Sequence, residues 1–106
     1  MMDNKFWGSL GLASKAGKLI YGVPMIIEAI QKRKKVYLVI EAGDTSDNTH
    51  KKLTDKCSFY GVEKIRIDAD GVELASRIGK SSSLAAVAIT DESFHQMVSK
   101  NLVDNQ

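Results

Sequence analysis

The sequence predicts an α/β domain in which helices lie on both faces of a small sheet. Segments with helical periodicity alternate with short apolar segments along the chain, which is the pattern of a layered α/β fold. Two apolar segments, 36–41 and 84–89, are nearly continuous, as expected for strands that are buried on both faces. The chain of 106 residues makes a single domain, 1–106, and its hydrophobic content of 43% supplies a core that needs no disulfide or metal.

The first helix is predicted over 4–16, where apolar residues recur at the helical spacing at Phe6, Leu10 and Ala13. A glycine follows and ends this helix, because glycine is the residue most often found just beyond a helix C-terminus. The next segment, 18–21, is predicted to be a very short strand.

The second helix begins at Gly22 and Pro24, since proline fits the first helical turn, in which its missing N–H is not needed. Three isoleucines give this helix a buried face. The basic residues at 32–35 close it, favourably placed beside the negative end of the helix dipole. A buried strand is then predicted over 36–41.

A polar loop over 44–48 supplies helix-capping residues, and the third helix runs from it to Tyr60. Cys57 lies on the apolar side of this helix, so we interpret it as a core thiol in preference to a nucleophile. A strand is predicted over 62–67.

The C-terminal part of the chain predicts two helices on either side of a strand. Asp70 caps a helix that ends at Gly79, with Glu73 completing a capping box. The strand follows over 84–89, and Thr90 caps the last helix. The residues of that helix predicted to face inward are Phe94, Met97 and Val98.

The net charge is only +2, but the basic residues are concentrated in the N-terminal third. Between Lys5 and Lys35 there are seven basic residues and one acid, whereas the chain from Gly61 onward has five basic residues and seven acids. This asymmetry favours a polyanionic partner, with ordinary solvated lysines as the alternative. No signal peptide or membrane-spanning segment is visible, so we expect a cytoplasmic protein without a membrane partner.

The sequence contains no recognisable catalytic motif. It has no phosphate-binding glycine loop, and one cysteine with two widely spaced histidines does not make a zinc site. We interpret His50 and His95 as surface residues, and Asp44 and Asp47 as residues that cap or favour a helix N-terminus. The prediction is a protein that is not an enzyme and that uses no metal or cofactor.

Three loops carry the side chains and backbone groups suited to a binding site. The first, 18–25, ends at the N-terminus of the second helix, where free N–H groups suit phosphates or base-edge acceptors, and Gly22 permits close approach. The others are 43–48 and 79–83, the latter with one lysine and three serines. In a layered α/β fold, loops at one end of the sheet are where binding sites collect.

Three stretches of this sequence, taken in order, resemble one known family. They are LGLASKAGKL at 10–19, LVIEAGDTSDNT at 38–49 with KKLTDKC at 51–57, and ELASRIGK at 73–80 with AAVAITD at 85–91. Together they are similar to the kink-turn-binding ribosomal proteins called seven-Ae and thirty-e of the large subunit, in particular to small members from Gram-positive bacteria. The resemblance covers nearly the whole chain. It implies a three-layer α-β-α sandwich with a small mixed sheet of about four strands.

The resemblance also implies a non-enzymatic RNA-binding protein. Its expected partner is structured RNA, either ribosomal RNA or another RNA with a kink-turn, which is a sharply bent helix with tandem sheared G·A pairs. The start of the second helix would meet the G·A pairs, and the loop after the fourth helix would hold an extruded base. Such readout of splayed bases suits RNA, because side chains cannot enter the major groove of A-form helices. Association with the ribosome and a monomeric state are expected.

The residues of this chain that match the family's site can be named one by one. The family's Gly-Thr-Asn-Glu stretch falls on Gly22, Val23, Pro24 and Met25, so only the glycine is kept. A lysine common in the family falls on Glu28, while a basic residue one turn later is kept as Lys32. Lys18 and Lys35 are expected to contact phosphates. The loop that would hold the extruded base comprises Lys80, Ser81, Ser82 and Ser83.

These departures leave open other hypotheses. Pro24 and Met25 cannot make base-edge hydrogen bonds with their side chains, a loss that would reduce kink-turn specificity and leave phosphate-driven RNA binding in place. A protein-interaction module on the same fold is one alternative. Another is a substrate-binding domain of the kind attached to RNA methyltransferases, in which case we expect no activity from these 106 residues in isolation, since they are too few to include a cofactor-binding half.

Overall fold

The computed structural model describes residues 3–103, which form five helices and a four-stranded sheet. The structure confirms an α/β fold with a mixed sheet. The elements in chain order are α1 (Asn4–Lys15), β1 (Leu19–Tyr21), α2 (Val23–Gln31), β2 (Leu38–Glu41), α3 (Asp47–Tyr60), β3 (Lys64–Arg66), α4 (Gly71–Arg77), β4 (Ala86–Ile89) and α5 (Glu92–Val103).

The strand order is β1-β4-β2-β3, so the last strand of the chain lies inside the sheet. β4 pairs antiparallel with both β1 and β2, whereas β2 and β3 are parallel. All four residues of β2 and of β4 are buried, as their continuous apolar sequences predicted.

Successive side chains of the central strands point to opposite faces of the sheet and divide the core in two. Leu38 and Ile40 of β2 pack in one cluster with residues of α1, α4 and α5. Val39 of β2, with Ala86 and Ala88 of β4, packs in the other cluster with α2 and α3. This division confirms the three-layer arrangement.

Several predicted boundaries were too wide. The second helix ends at Gln31 with Lys32 as its cap, so 33–35 lie beyond it. The strands predicted over 36–41 and 62–67 shorten to Leu38–Glu41 and Lys64–Arg66. Helical and strand periodicity do not show where backbone pairing stops, which explains these differences.

The last helix differs from the prediction in two details. The side chain of Asp91, and not that of Thr90, accepts a hydrogen bond from the Phe94 N–H at 3.1 Å. The Thr90 hydroxyl instead donates to the Lys18 carbonyl oxygen at 3.1 Å. Met97 was predicted to face inward but is 41% exposed, whereas Val98 is fully buried.

This cap assignment predicts that Asp91→Ala lowers the free energy of unfolding by about 1 kcal/mol, the usual cost of losing an N-cap side chain. Thr90→Ala removes one exposed hydrogen bond and is expected to cost less. Urea titrations of both variants give the comparison, and an equal or larger loss in Thr90→Ala would contradict the assignment.

Candidate functional site

The second and third predicted loops meet residues 22–25 of the first at one end of the sheet, which we call the near end; residues 19–21 of the first loop form β1 instead. The near end is formed by the last residues of β1, β2 and β3 and by the first residue of β4. The Gly22 N–H donates to the Ala86 carbonyl oxygen at 2.9 Å, and the Ala42 N–H donates to the Ala85 carbonyl oxygen at 2.8 Å. The start of α2, the loop after β2 and the loop before β4 therefore share one surface.

The N-terminus of α2 presents free backbone donors at the near end. Gly22 is the N-cap and has φ 87° and ψ 147°, a conformation that favours glycine, and no side chain caps the helix. The first helical bond runs from the Ile26 N–H to the Gly22 carbonyl oxygen. Within residues 3–103, the N–H groups of Val23 and Met25 have no acceptor, while Pro24 has no N–H. These two donors and the helix dipole suit an anionic or acceptor group.

Lys80, in the loop after α4, contacts the residue that precedes the N-cap of α2. Its Nζ lies 4.3 Å from the centroid of the Tyr21 ring, and Tyr21 immediately precedes Gly22. The Tyr21 hydroxyl hydrogen-bonds to Ser14 Oγ at 2.6 Å, and Ser14 Oγ lies 3.3 Å from the carbonyl oxygen of Ile78 at the end of α4. Tyr21 and Ser14, which the sequence did not single out, thus hold a cation on the ring of the residue that precedes the α2 N-cap.

The start of α4 holds the rest of this loop. The Leu84 N–H donates to the Gly71 carbonyl oxygen at 3.0 Å, and the Gly71 N–H donates to the Asp44 carboxylate at 2.9 Å. Asp44 was predicted to serve the helix that follows it, but that helix is capped by Ser46, and Asp44 binds the first residue of α4 instead. Ser81, Ser82 and Ser83 remain exposed.

Close packing at Gly71 leads to a prediction. An added Cβ would lie 2.6 Å from Ser83 Oγ and 2.7 Å from the Leu84 carbonyl oxygen, so Gly71→Ala must displace the loop. We expect a loss of about 1–3 kcal/mol in the free energy of unfolding, as for other overpacked sites.

Gly8→Ala is the matched control for Gly71→Ala. Nothing lies within 4 Å of a Cβ added to Gly8, which is in the middle of α1. This variant should gain about 0.5–1 kcal/mol from helix propensity alone. Equal stabilities of the two variants in urea would show that the loop does not pack on Gly71.

A buried carboxylate lies behind the near end. Glu41, the last residue of β2, is fully buried and contacts Lys64 Nζ at 2.5 Å and His50 Nδ1 at 2.8 Å, while Arg66 Nε lies 3.7 Å away. His50 was predicted to be an ordinary surface residue, but it is half-buried and bound to Glu41. Burial by itself raises the pKa of Glu41, but the hydrogen bonds and charges of Lys64 and His50 outweigh it and hold this pKa below its usual value.

This ionic cluster extends into the loop after β2. Arg66 donates to the Thr45 carbonyl oxygen at 3.1 Å, and Thr45 Oγ1 donates to the Ala42 carbonyl oxygen at 2.7 Å. The loop is therefore held from both sides, by Arg66 of β3 and, through its own Asp44, by Gly71 of α4. The sequence shows these residues only as a scattered set of charges, since nothing in their spacing indicates that they converge.

Three of the predicted RNA-contacting lysines do not lie at the near end. Lys18 precedes β1 and Lys35 follows α2, so both lie at the opposite end of the sheet, which we call the far end. Lys32 caps the C-terminus of α2, about 15 Å along the helix from Gly22. Its Nζ binds Glu28 at 2.8 Å, and that hydrogen bond, with the charges of Lys32 and Lys34, lowers the pKa of Glu28.

The remaining candidates for chemistry have structural roles. Cys57 is 2% exposed in the cluster beneath α2 and α3, as predicted, and burial raises the pKa of its thiol. His95 was predicted to be exposed but stacks on Tyr37 and lies 3.3 Å from Glu63. Across residues 3–103, no group of three or more His, Cys, Asp or Glu side chains is arranged to hold a metal. None of the helices in this range is long and apolar enough to cross a bilayer.

Comparison with known proteins agrees with this architecture. A protein called "RNA-binding protein YlxQ" from Bacillus subtilis (strain 168) is 41% identical over 95 residues, which is 89% of this chain and 91% of that protein. A protein of the same name from Enterococcus faecium is 41% identical over 71 residues, 67% of each chain.

Two solved structures share the fold. A protein of unknown function from Bacillus halodurans C superimposes with a TM-score of 0.84 at 29% identity, covering 95% of this chain and 99% of that one. The Giardia lamblia 15.5kD RNA binding protein has a TM-score of 0.74 at 16% identity, covering 94% and 83%. The profile of the Ribosomal protein L7Ae/L30e/S12e/Gadd45 family matches residues 5–99, so the chain belongs to this family.

Proposed function

We propose that this protein binds structured RNA without catalysing a reaction, and that it recognises kink-turn-like RNA through its near end. The observation that carries the proposal is the contact of Lys80 with Tyr21, the residue before the α2 N-cap, with the Lys80 Nζ 4.3 Å from the Tyr21 ring centroid. Family membership and the RNA-binding relatives support the same conclusion.

The two parts of the near end suit different parts of a bent RNA. The free N–H groups of Val23 and Met25 favour a phosphate or a base-edge acceptor, and Gly22 lets the RNA backbone approach closely. The exposed loop of Lys80, Ser81, Ser82 and Ser83 offers a cation and three hydroxyls to an unstacked nucleotide. Lys32 adds a more distant phosphate contact once it leaves Glu28.

The test is a titration with two RNAs, one with a standard kink-turn and one in which the tandem G·A pairs are replaced by Watson–Crick pairs. We expect tighter binding to the kink-turn, and an affinity that falls as salt is raised because phosphate contacts release counterions. Lys80→Ala should weaken binding to the kink-turn and reduce the salt slope by about 1.

The matched control for Lys80→Ala is Lys100→Ala, which removes one exposed positive charge from α5, on the other face of the sheet from α2. Its affinity should match that of the unmodified protein. Equal, weak binding of both RNAs would exclude kink-turn recognition and leave RNA binding without shape specificity.

Ribosome association, a cytoplasmic location and a monomeric state belong to the same proposal. Co-sedimentation with ribosomal subunits in a gradient tests the first, and light scattering of the purified protein tests the last. Release from the subunits at high salt is expected, since phosphate-driven contacts are screened.

A protein-interaction module is the second candidate function. The supporting observation is that Pro24 and Met25 are both exposed, Met25 by 55%, so an apolar patch stands where the family has base-contacting side chains. Under this hypothesis Met25→Glu abolishes binding to the protein partner. Under the RNA hypothesis the same change leaves RNA binding in place.

A further inference from the structure

The far end carries a basic and aromatic surface that the near-end proposal does not use. A cleft of about 420 Å³ there is lined by Arg33, Lys34, Lys35, Tyr37 and Tyr60, among others. Phe59 adjoins it, with its ring centroid 4.9 Å from that of Tyr60. We call these six residues the far-end surface.

Arg33 has an unusual backbone conformation within this surface. Four helices end at a left-handed residue, and the N–H that follows it bonds back to the last turn. This residue is the cap itself in α3 and follows the cap in the other three helices. That left-handed residue is Gly17 after α1, Gly61 after α3 and Gly79 after α4, but it is Arg33, with φ 56°, after α2. An L-residue is disfavoured there relative to glycine, so the side chain of Arg33 occupies a position that stability alone would give to glycine.

The side chain at this position has a defined placement. The Arg33 guanidinium lies over the Tyr60 ring, 5.4 Å from its centroid. A guanidinium on an aromatic ring presents a flat cationic face, on which a nucleobase can stack. Phe59, 79% exposed, offers a second flat face next to it.

The charges of this surface remain available to a ligand. Within residues 3–103, no carboxylate lies within ion-pair distance of Arg33, Lys34 or Lys35. The neighbouring acids already have partners, namely Glu28 with Lys32, Asp55 with Lys51 and Glu63 with His95. Adjacent cations with exposed aromatic rings are the combination that binds single-stranded nucleic acid, because rings stack bases and cations neutralise phosphates.

We propose that the far-end surface is a second RNA-contact site that takes single-stranded RNA. Bases stack on Phe59 and on the guanidinium of Arg33, and phosphates contact Lys34 and Lys35. This site lies at the opposite end of α2 from the kink-turn site proposed above, and it does not require kink-turn recognition. Aromatic faces favour RNA over an acidic protein, which would need the cations alone.

The test uses fluorescence anisotropy with a labelled twelve-nucleotide oligo(U), which forms no helix. Arg33→Gly is expected to weaken binding roughly fivefold and to reduce the salt slope by about 0.7. Its midpoint of urea unfolding should be no lower than that of the unmodified protein, because glycine relieves the left-handed conformation. Loss of binding without loss of stability separates a ligand contact from a structural role.

Two further variants complete the test. Phe59→Ala removes an exposed ring and is expected to weaken binding about fivefold or more through lost stacking. Arg33→Lys keeps the charge and should retain most of the salt slope. Lys100→Ala again serves as the charge-matched control with unchanged affinity.

Each outcome decides between the hypotheses. If Arg33→Gly and Phe59→Ala bind oligo(U) as tightly as the unmodified protein, this inference is overturned. The kink-turn proposal is unaffected by that result. If Arg33→Gly weakens oligo(U) binding but the protein binds both kink-turn test RNAs equally, this inference stands and the kink-turn proposal is excluded. Binding of poly(Glu), but not oligo(U), in an Arg33-dependent manner would overturn the RNA assignment in favour of an acidic protein.

Discussion

Glu41→Gln is expected to lower the free energy of unfolding by about 3 kcal/mol, because it leaves Lys64 largely buried without an opposite charge. Glu41 is fully buried, and the Lys64 side chain is only 11% exposed. Glutamine keeps the size of the side chain, so the loss measures the charge and its hydrogen bonds and not a cavity. A urea titration at pH 7 gives the value.

The same carboxylate makes stability depend on acid. Since the pKa of Glu41 is lowered in the folded protein from the ordinary value of 4.5, its stabilising effect is present above that value. The effect is lost as pH falls through the lower, folded-state pKa. The difference in stability between the unmodified protein and Glu41→Gln should therefore narrow below about pH 4.5.

Glu73→Gln provides the control for Glu41→Gln. Glu73 pairs with Arg77 on the surface of α4, with both side chains 44% exposed, and such pairs contribute about 0–1 kcal/mol. If Glu41→Gln cost no more than Glu73→Gln, the cluster around Glu41 would have no special role in stability.

The double variant Pro24→Asn/Met25→Glu is expected to increase discrimination between the kink-turn and the RNA without G·A pairs. The resemblance to the family gives asparagine and glutamate at these positions, and the N-terminus of α2 already lies at the near end, where Gly22 is bonded to Ala86. Each restored base contact should contribute about 1–3 kcal/mol, which is roughly 5- to 150-fold in relative affinity. Titration of both RNAs with the double variant measures the change.

Pro24→Ala/Met25→Ala is the control for that gain, because it removes the native side chains without adding base-contacting groups. It should leave the ratio of the two affinities unchanged. An unchanged ratio in the double variant as well would indicate that RNA does not approach the α2 N-terminus in the orientation proposed.

The layered fold was predictable because each element carries its own local signal. The apolar runs over 36–41 and 84–89 predicted buried strands, and Asp70 predicted a cap that the structure contains, accepting the Glu73 N–H at 2.8 Å. Helix boundaries and caps were predicted less accurately where two residues that can cap a helix are adjacent in sequence. Thr90 and Asp91 both fit an N-cap, and only the backbone geometry decides between them.

Only the parts of the candidate site that depend on backbone conformation could be predicted from the sequence. Gly22 and the loop of Lys80 could be named, since glycine before a proline-started helix and a polar loop before a strand are visible in sequence. The ionic cluster around Glu41 could not be named. Glu41 ends an apolar strand, and its partners His50 and Lys64 follow 9 and 23 residues later. The approach of Lys64 depends on the pairing of β2 with β3, and that of His50 on the turn from β2 into α3.

β1 and β4 are far apart in sequence but pair in the sheet, with Leu19 opposite Ile89. Synthesis proceeds from the N-terminus, so Gly22 and its helix emerge long before Ala86, whose carbonyl oxygen holds Gly22 in place. Contacts between residues so far apart in sequence also form late in folding, because their loop-closure entropy must be overcome first. A nascent chain that has not yet reached β4 therefore has the α2 sequence but no assembled near end, so the RNA contact proposed there requires that β4 has already been synthesised.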